Sequence, residues 1–268
     1  MLGKIIKYEW RATWKVNTLL LGIFWGTTML MQLLSLLPIW NSDEWSALTA
    51  VGMLLLFYGV VLCFTIGVPL YLTIRYYKSM YSNEGYLTHT LPITGNQLFL
   101  GKLIHFIIWR LITLLSVILA TSLFITGFVK IISDEEMSMF AIWKELCQSI
   151  LELGNYGFEW HRLGFLLILA VIVYLIYTPL KCMGAVDIGQ LWKTHKVAGA
   201  ISIFLGIYFV EKIVTFIVMI LYNVYVSFTS FDNYFDGSVA LTLVGQLVVG
   251  LVMFVASEII IKNKINLE

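Results

Sequence analysis

The chain has 268 residues, 60% of them hydrophobic and only 12% charged, with a mean hydropathy of +0.89. A water-soluble fold of this size needs far more polar surface, and a formal net charge of +1 gives no pull on a polyanion such as nucleic acid. Cys63, Cys147 and Cys182 fall in three separate segments without C-x-x-C pairing or neighbouring histidines, so neither a disulfide framework nor a metal centre is indicated.

Residues 1–15, MLGKIIKYEWRATWK, place Lys4, Lys7, Arg11 and Lys15 at helical spacings, with Leu2, Ile5, Ile6, Trp10 and Thr13 on the other side. The pattern predicts an amphipathic helix along a lipid interface, its basic stripe towards phosphates, before the chain turns into a first span. An ordinary span with positive flanks is the plainer alternative. Glu9 sits on the apolar arc, where a cation elsewhere in the assembly is expected to pair with it.

Six apolar runs follow, roughly 16–37, 47–74, 103–129, 163–180, 197–221 and 238–261. Each is near or above the ~20 residues that cover a hydrocarbon core of ~30 Å. They are continuous and do not alternate, so helices are expected and barrel strands are not. The basic start resembles a signal peptide, but run 16–37 is too long and lacks a small-x-small cleavage site, so it reads as a retained span.

Lys4, Lys7, Arg11, Lys15, Arg75, Lys78, Lys102, Lys181, Lys193, Lys196, Lys262 and Lys264 fall in one set of connecting segments, against Lys130, Lys144 and Arg162 in the other. Cationic segments resist translocation. Both termini, the 75–102 loop and the 181–196 loop are therefore expected in the cytoplasm, and the 130–162 loop outside. In that outer loop Met137, Phe140, Ile142, Trp143, Leu146, Ile150 and Leu153 have near-helical spacing, suited to the outer membrane face or to a covering loop.

Within the 75–102 loop, Ser82, Asn83 and Glu84 supply caps for a short helix that Pro92 would end, and Thr94 with Gln97 forms a capping box opening the third span. Exposed Tyr86, Leu87 and Leu91 would need a protein partner or the headgroup layer to cover them. The nearby Gly95-Asn96-Gln97-Leu98-Phe99-Leu100-Gly101-Lys102-Leu103 has the wrong glycine spacing for a phosphate loop, and Leu where magnesium needs Ser or Thr. Any ATP-driven work would need another polypeptide.

Charges inside spans are costly, so Arg110 and the neighbours Glu211 and Lys212 need a reason. Arg110 has three readings: snorkelling to the inner interface, an inward structural pair, or a substrate contact. Glu211 and Lys212 point about 100° apart on a helix, and a structural ion pair, a translocation-path lining and a helix break all remain open. Ala198, Ser202 and Gly206, and more weakly Gly22 and Gly26, form small-residue stripes, for which packing within the chain is the default. The four histidines are scattered, so catalysis is not indicated.

Lys7-Tyr8-Glu9-Trp10, the segment Glu84-Gly85-Tyr86-Leu87-Thr88-His89-Thr90-Leu91-Pro92 and the six-span layout together resemble the type-2 (ABC-2) permease subunits of bacterial ATP-binding-cassette exporters. The resemblance implies an all-α integral membrane protein, a single permease domain over 1–268. An elbow helix bearing Lys4, Lys7, Glu9, Trp10, Arg11 and Lys15 would precede about six spans. A short coupling helix would lie between spans two and three. It implies that Ser82, Asn83, Glu84, Gly85, Tyr86, Leu87, Thr88, His89, Thr90, Leu91 and Pro92 dock on a separate cytoplasmic ATPase, which holds ATP and magnesium while this chain binds no cofactor. A second permease, the same or related, and membrane lipid complete the expected partners, in a bacterial plasma membrane. The family places re-entrant helices between spans five and six; here the stretch 222–237 is short and the long outer loop lies between spans three and four. The expected function is outward movement of a hydrophobic or amphipathic substrate, such as an antimicrobial peptide, a lipid-linked molecule or a drug. The alternatives are a membrane-embedded lipid-acting enzyme and a non-transporting anchor or sensor.

Overall fold

The computed structural model describes residues 2–35, 46–82, 84–85, 88, 94–133, 139–153, 160–192, 195–229 and 234–263. The described helices are α1 (Leu2–Ser35), α2 (Ser46–Tyr81), α3 (Gly95–Ser133), α4 (Met139–Leu153), α5 (Trp160–Gly189), α6 (Lys196–Thr229) and α7 (Tyr234–Asn263). No strand occurs among the described residues. Six helices, all but α4, are long and apolar enough to cross a membrane, as expected of a multi-pass membrane protein. A helix suits lipid because every backbone N–H and C=O finds its partner within the segment. With 15 residues, α4 is shorter than a span; it exposes Phe140 and Trp143 and falls where the 130–162 pattern predicts a helix.

Several helices overrun the apolar runs that announce them. The α2 helix continues to Tyr81 and α3 begins at Gly95, so the 75–102 connection contracts to 82–94. Similarly α5 runs to Gly189, and the 181–196 connection contracts to 190–195. Hydropathy marks where lipid touches a helix, whereas helix length follows backbone bonding and packing.

The expected turn between an interfacial helix and the first span is absent: Leu2–Ser35 is one helix of 34 residues. No proline interrupts it, and the Thr18 hydroxyl donates back to the Trp14 carbonyl at 2.6 Å, a bond that a continuing helix accommodates. The amphipathic pattern holds in part, since Trp10, expected on the covered side, is exposed. Lys4, Lys7, Arg11 and Lys15 are exposed, whereas Glu9, Thr13 and Asn17 are buried on the opposite face.

The chain divides into two compact units: Met1–Trp10, Tyr71–Ile107 and Gly157–Glu268 form the first, and Arg11–Leu70 with Ile108–Tyr156 the second. In the first, α5 packs along α7 and α6 around Val173, Tyr177 and Leu243. The turn into α6 is tight. His195 adopts φ 87°, and a Cβ on Gly189 would lie 2.5 Å from the Ala200 backbone nitrogen, so only glycine lets the two helices meet there. The glycines of the dismissed phosphate loop have a similar purpose, Gly101 lying against Ile5 of α1 and Gly95 against Ile261 of α7. In the second unit, Phe24 stacks on Phe64 at 4.2 Å and Phe57 on Phe124 at 4.1 Å, and Gln32 donates to the Thr126 hydroxyl at 3.3 Å.

Ala198, Ser202 and Gly206 are exposed, and open space surrounds Gly22, Gly26 and Gly206. Within its own unit, therefore, neither stripe meets a second helix. Beyond its start, where Lys196 and Gly199 are buried, the described side chains of α6 are partly covered along one line through Ile203, Ile207, Glu211, Thr215, Val218 and Tyr222.

Candidate functional site

The polar residues buried among these apolar helices gather into clusters, three of them in the first unit. The first joins the start of α1 to the α2 end and the α3 start. Lys102 donates to the Glu9 carboxylate and, at 2.7 Å, to the Ser79 hydroxyl, with Lys102 and Glu9 both buried. The cation that Glu9 needs therefore comes from this chain. Trp10 packs edge-on against the His105 ring at 6.2 Å. A buried ion pair is held together strongly once formed, because separating it leaves a charge without solvent or partner.

The second cluster surrounds Asp187, which is fully buried near the end of α5. Tyr76 and Tyr81, from the last turns of α2, each donate a hydroxyl to its Oδ1 at 2.7 Å. Their rings meet edge to face at 6.4 Å. Two phenols five residues apart thus clamp the end of α2 onto α5.

The third lies between α5 and α6. Lys181 donates to Glu211 Oε2 at 2.6 Å, and the Tyr177 hydroxyl, one turn before Lys181, donates to the same oxygen at 2.5 Å. Glu211 is thus part of a structural pair, and α6 is unbroken there. Lys181, counted above as a loop cation, is instead buried within α5. Its ammonium group lies over the rings of Tyr177, Phe204 and Tyr208 at 5.4, 5.5 and 5.1 Å. Lys212 is exposed and approaches the same Tyr208 ring, its Nζ 5.6 Å from the ring centre.

Arg110, in the second unit, does not snorkel. It is buried, and its Nη1 donates to the Thr65 carbonyl at 3.0 Å. Thr65 lies four residues before Pro69, inside α2. Proline has no N–H, so that carbonyl loses its normal helical donor. The guanidinium supplies the missing proton from a neighbouring helix, which is how a proline becomes tolerable inside a span.

Of the expected coupling segment, Ser82, Glu84, Gly85 and Thr88 are described, whereas Asn83, Tyr86, Leu87, His89, Thr90, Leu91 and Pro92 lie outside the described residues. Glu84, Gly85 and Thr88 are helical; Gly85 N–H donates to the Ser82 carbonyl at 2.6 Å and the Thr88 hydroxyl to the Glu84 carbonyl at 3.0 Å. Arg75 of α2 pairs with Glu84 at 2.8 Å. Past the segment, Thr94 caps α3 as its sequence predicts, accepting from the Gln97 N–H at 3.4 Å. Asn96 then donates to Glu258 of α7 at 2.6 Å.

Sequence reasoning found Glu9, Arg110, Glu211 and Lys212 as misplaced charges. It missed Tyr76, Tyr81, Asp187 and the inward role of Lys181. The one usable signal was Asp187 standing as a lone acid among the small residues Gly184, Ala185 and Gly189. Among the described residues no group of three His, Cys, Asp or Glu side chains could hold a metal ion. Comparisons with protein-family models, curated proteins and solved structures find no match.

Proposed function

We propose that this chain is the membrane permease subunit of an ATP-driven exporter, working with a second permease and with cytoplasmic ATPase subunits in a bacterial plasma membrane. One observation carries the reading: segment 82–94 is rooted in the helices on both sides. Before it, Tyr81 holds Asp187 of α5 and Arg75 holds Glu84. After it, Asn96 holds Glu258 of α7 and Lys102 holds Glu9 of α1. A push on such a segment passes into five helices of one packed unit, because the two buried contacts, Tyr81 to Asp187 and Lys102 to Glu9, resist being drawn apart.

ATP binding would draw the ATPases together, and the 82–92 segment would carry that movement into α2 and α3. The helix ends that it grips would then shift and open a route outward for a hydrophobic or amphipathic substrate. ATP and magnesium stay in the partner, and no bond in the substrate is broken by this chain. Support comes from the resemblance of the opening and loop motifs, from the six apolar helices, and from this rooting.

The test is purification of the tagged chain from native membranes. An ATPase should accompany it and hydrolyse ATP at a rate that responds to substrate. Changing Tyr86 and Leu87 to Asp should release the ATPase and leave the chain inserted. A complex that survives this change with full activity contradicts the docking assignment, and a complex that never hydrolyses ATP makes the chain an anchor.

A further inference from the structure

An exporter must hold its cargo within the membrane, and the middle of α6 carries a charge, that of Lys212, which no described carboxylate pairs with. Lys181 and Lys212 converge on the ring of Tyr208, their ammonium groups 5.1 and 5.6 Å from its centre. One carboxylate accompanies them, Glu211, and it is bonded to Lys181 and Tyr177. Lys212 has no ion pair among the described residues. Among the carboxylates of this unit whose side chains are described, Glu9 has Lys102, Glu84 has Arg75, Asp187 has two tyrosines and Glu258 has Asn96.

The Lys212 side chain turns away from the nearer end of the apolar run. Its Nζ lies back over Tyr208, one turn nearer the start of α6, as helix geometry favours. The apolar run continues the other way to Leu221, about 14 Å of helix further on. A second copy of the chain does not cure the imbalance. In its apolar runs the only acids are Glu211, matched by Lys181, and Glu258 near the end of the last run. Each copy therefore retains one excess positive charge at this depth, beside the exposed apolar side chains Leu205, Tyr208 and Phe209.

We infer that Lys212, backed by the Lys181–Glu211 pair and the ring of Tyr208, forms a lipid-facing subsite for an amphiphile with an anionic head. The head, a phosphate, sulfate or carboxylate, supplies the missing negative charge in a medium of low dielectric, and its tail lies along the apolar surface of α6. A cationic head is repelled by the same excess. That the amphiphile is cargo rests on the exporter reading; that it binds does not. The head can come from an exported molecule or from a resident anionic lipid.

The experiment uses the full chain alone in phosphatidylcholine nanodiscs, with dodecyl phosphate as probe and dodecyltrimethylammonium as its matched cation. Dodecyl phosphate should bind, at least tenfold more weakly to Lys212→Gln, with affinity recovered in Lys212→Arg and unchanged in Lys4→Gln. Lys212 is exposed, so the variants should keep their helix content, which circular dichroism checks. Competition by phosphatidylglycerol added to the nanodisc identifies a resident lipid as the occupant; lack of competition identifies a separate amphiphile. Equal affinity in Lys212→Gln, equal binding of the cationic probe, or inorganic phosphate binding as well as dodecyl phosphate overturns the inference. No ATPase is present, so failure here leaves the exporter reading standing, and a missing ATPase partner leaves this subsite standing.

Discussion

Arg110 and Pro69 give a prediction that can be worked from a single hydrogen bond. Arg110→Met removes the donor to the Thr65 carbonyl, which Pro69 has already deprived of its helical partner. An unsatisfied buried carbonyl costs about 1–3 kcal/mol. Measured hydrogen bonds between membrane helices average nearer ~0.6 kcal/mol, with a maximum of ~1.7, so about 1 kcal/mol is the expected penalty. Pro69→Ala restores an N–H at position 69, four residues after Thr65, and the carbonyl no longer needs the arginine. Arg110→Met should then cost less in the Pro69→Ala background, and the difference between backgrounds should be about 1 kcal/mol, roughly fivefold in the unfolding equilibrium. The assay is a double-mutant cycle of reversible unfolding in mixed detergent micelles, followed by tryptophan fluorescence. A coupling below about 0.3 kcal/mol, within the error of additivity, would show that the arginine is not there for the proline.

Two further substitutions probe the first unit. Glu9→Gln leaves Lys102 buried without its counter-charge and should destabilise the unit by about 3–5 kcal/mol, whereas Glu9→Gln combined with Lys102→Met should recover most of that, as thermal unfolding of the single and double variants would show. Gly101→Leu places a side chain where Ile5 of α1 already lies and should loosen the start of α1, read as faster hydrogen exchange over residues 2–10, whereas Gly22→Leu, facing open space, should leave exchange unchanged.

Lipid makes the broad fold readable. A span needs about 20 apolar residues, and the six runs that meet this rule are the six long helices of the structure. The basic stripe of α1 was equally legible, because a 3.6-residue period fixes which side chains share a face. The partners were not. Glu9 was conspicuous as an acid on an apolar arc, but Lys102 lies 93 positions away and was counted among loop cations. Lys181 was misplaced for a related reason. Its apolar run ends at Leu180, yet the helix continues to Gly189 and carries the lysine inward to Glu211. Pro69 and Arg110 were both visible in the sequence, but only the register of α2 against α3 shows that one repairs what the other breaks. Tyr76 and Tyr81 gave the least warning, since nothing in their spacing shows that both hydroxyls arrive at Asp187.

Segment 82–92 is proposed to face the cytosol and to be where an ATPase drives the membrane helices. Thr88, described and partly exposed, can carry the probe as Thr88→Cys once Cys63 and Cys147, the two exposed native thiols, are replaced by serine. A membrane-impermeant maleimide should label it in inside-out vesicles, not in intact cells, and the label should be blocked when the ATPase is bound. Labelling in intact cells, or labelling indifferent to a bound ATPase, would contradict the account.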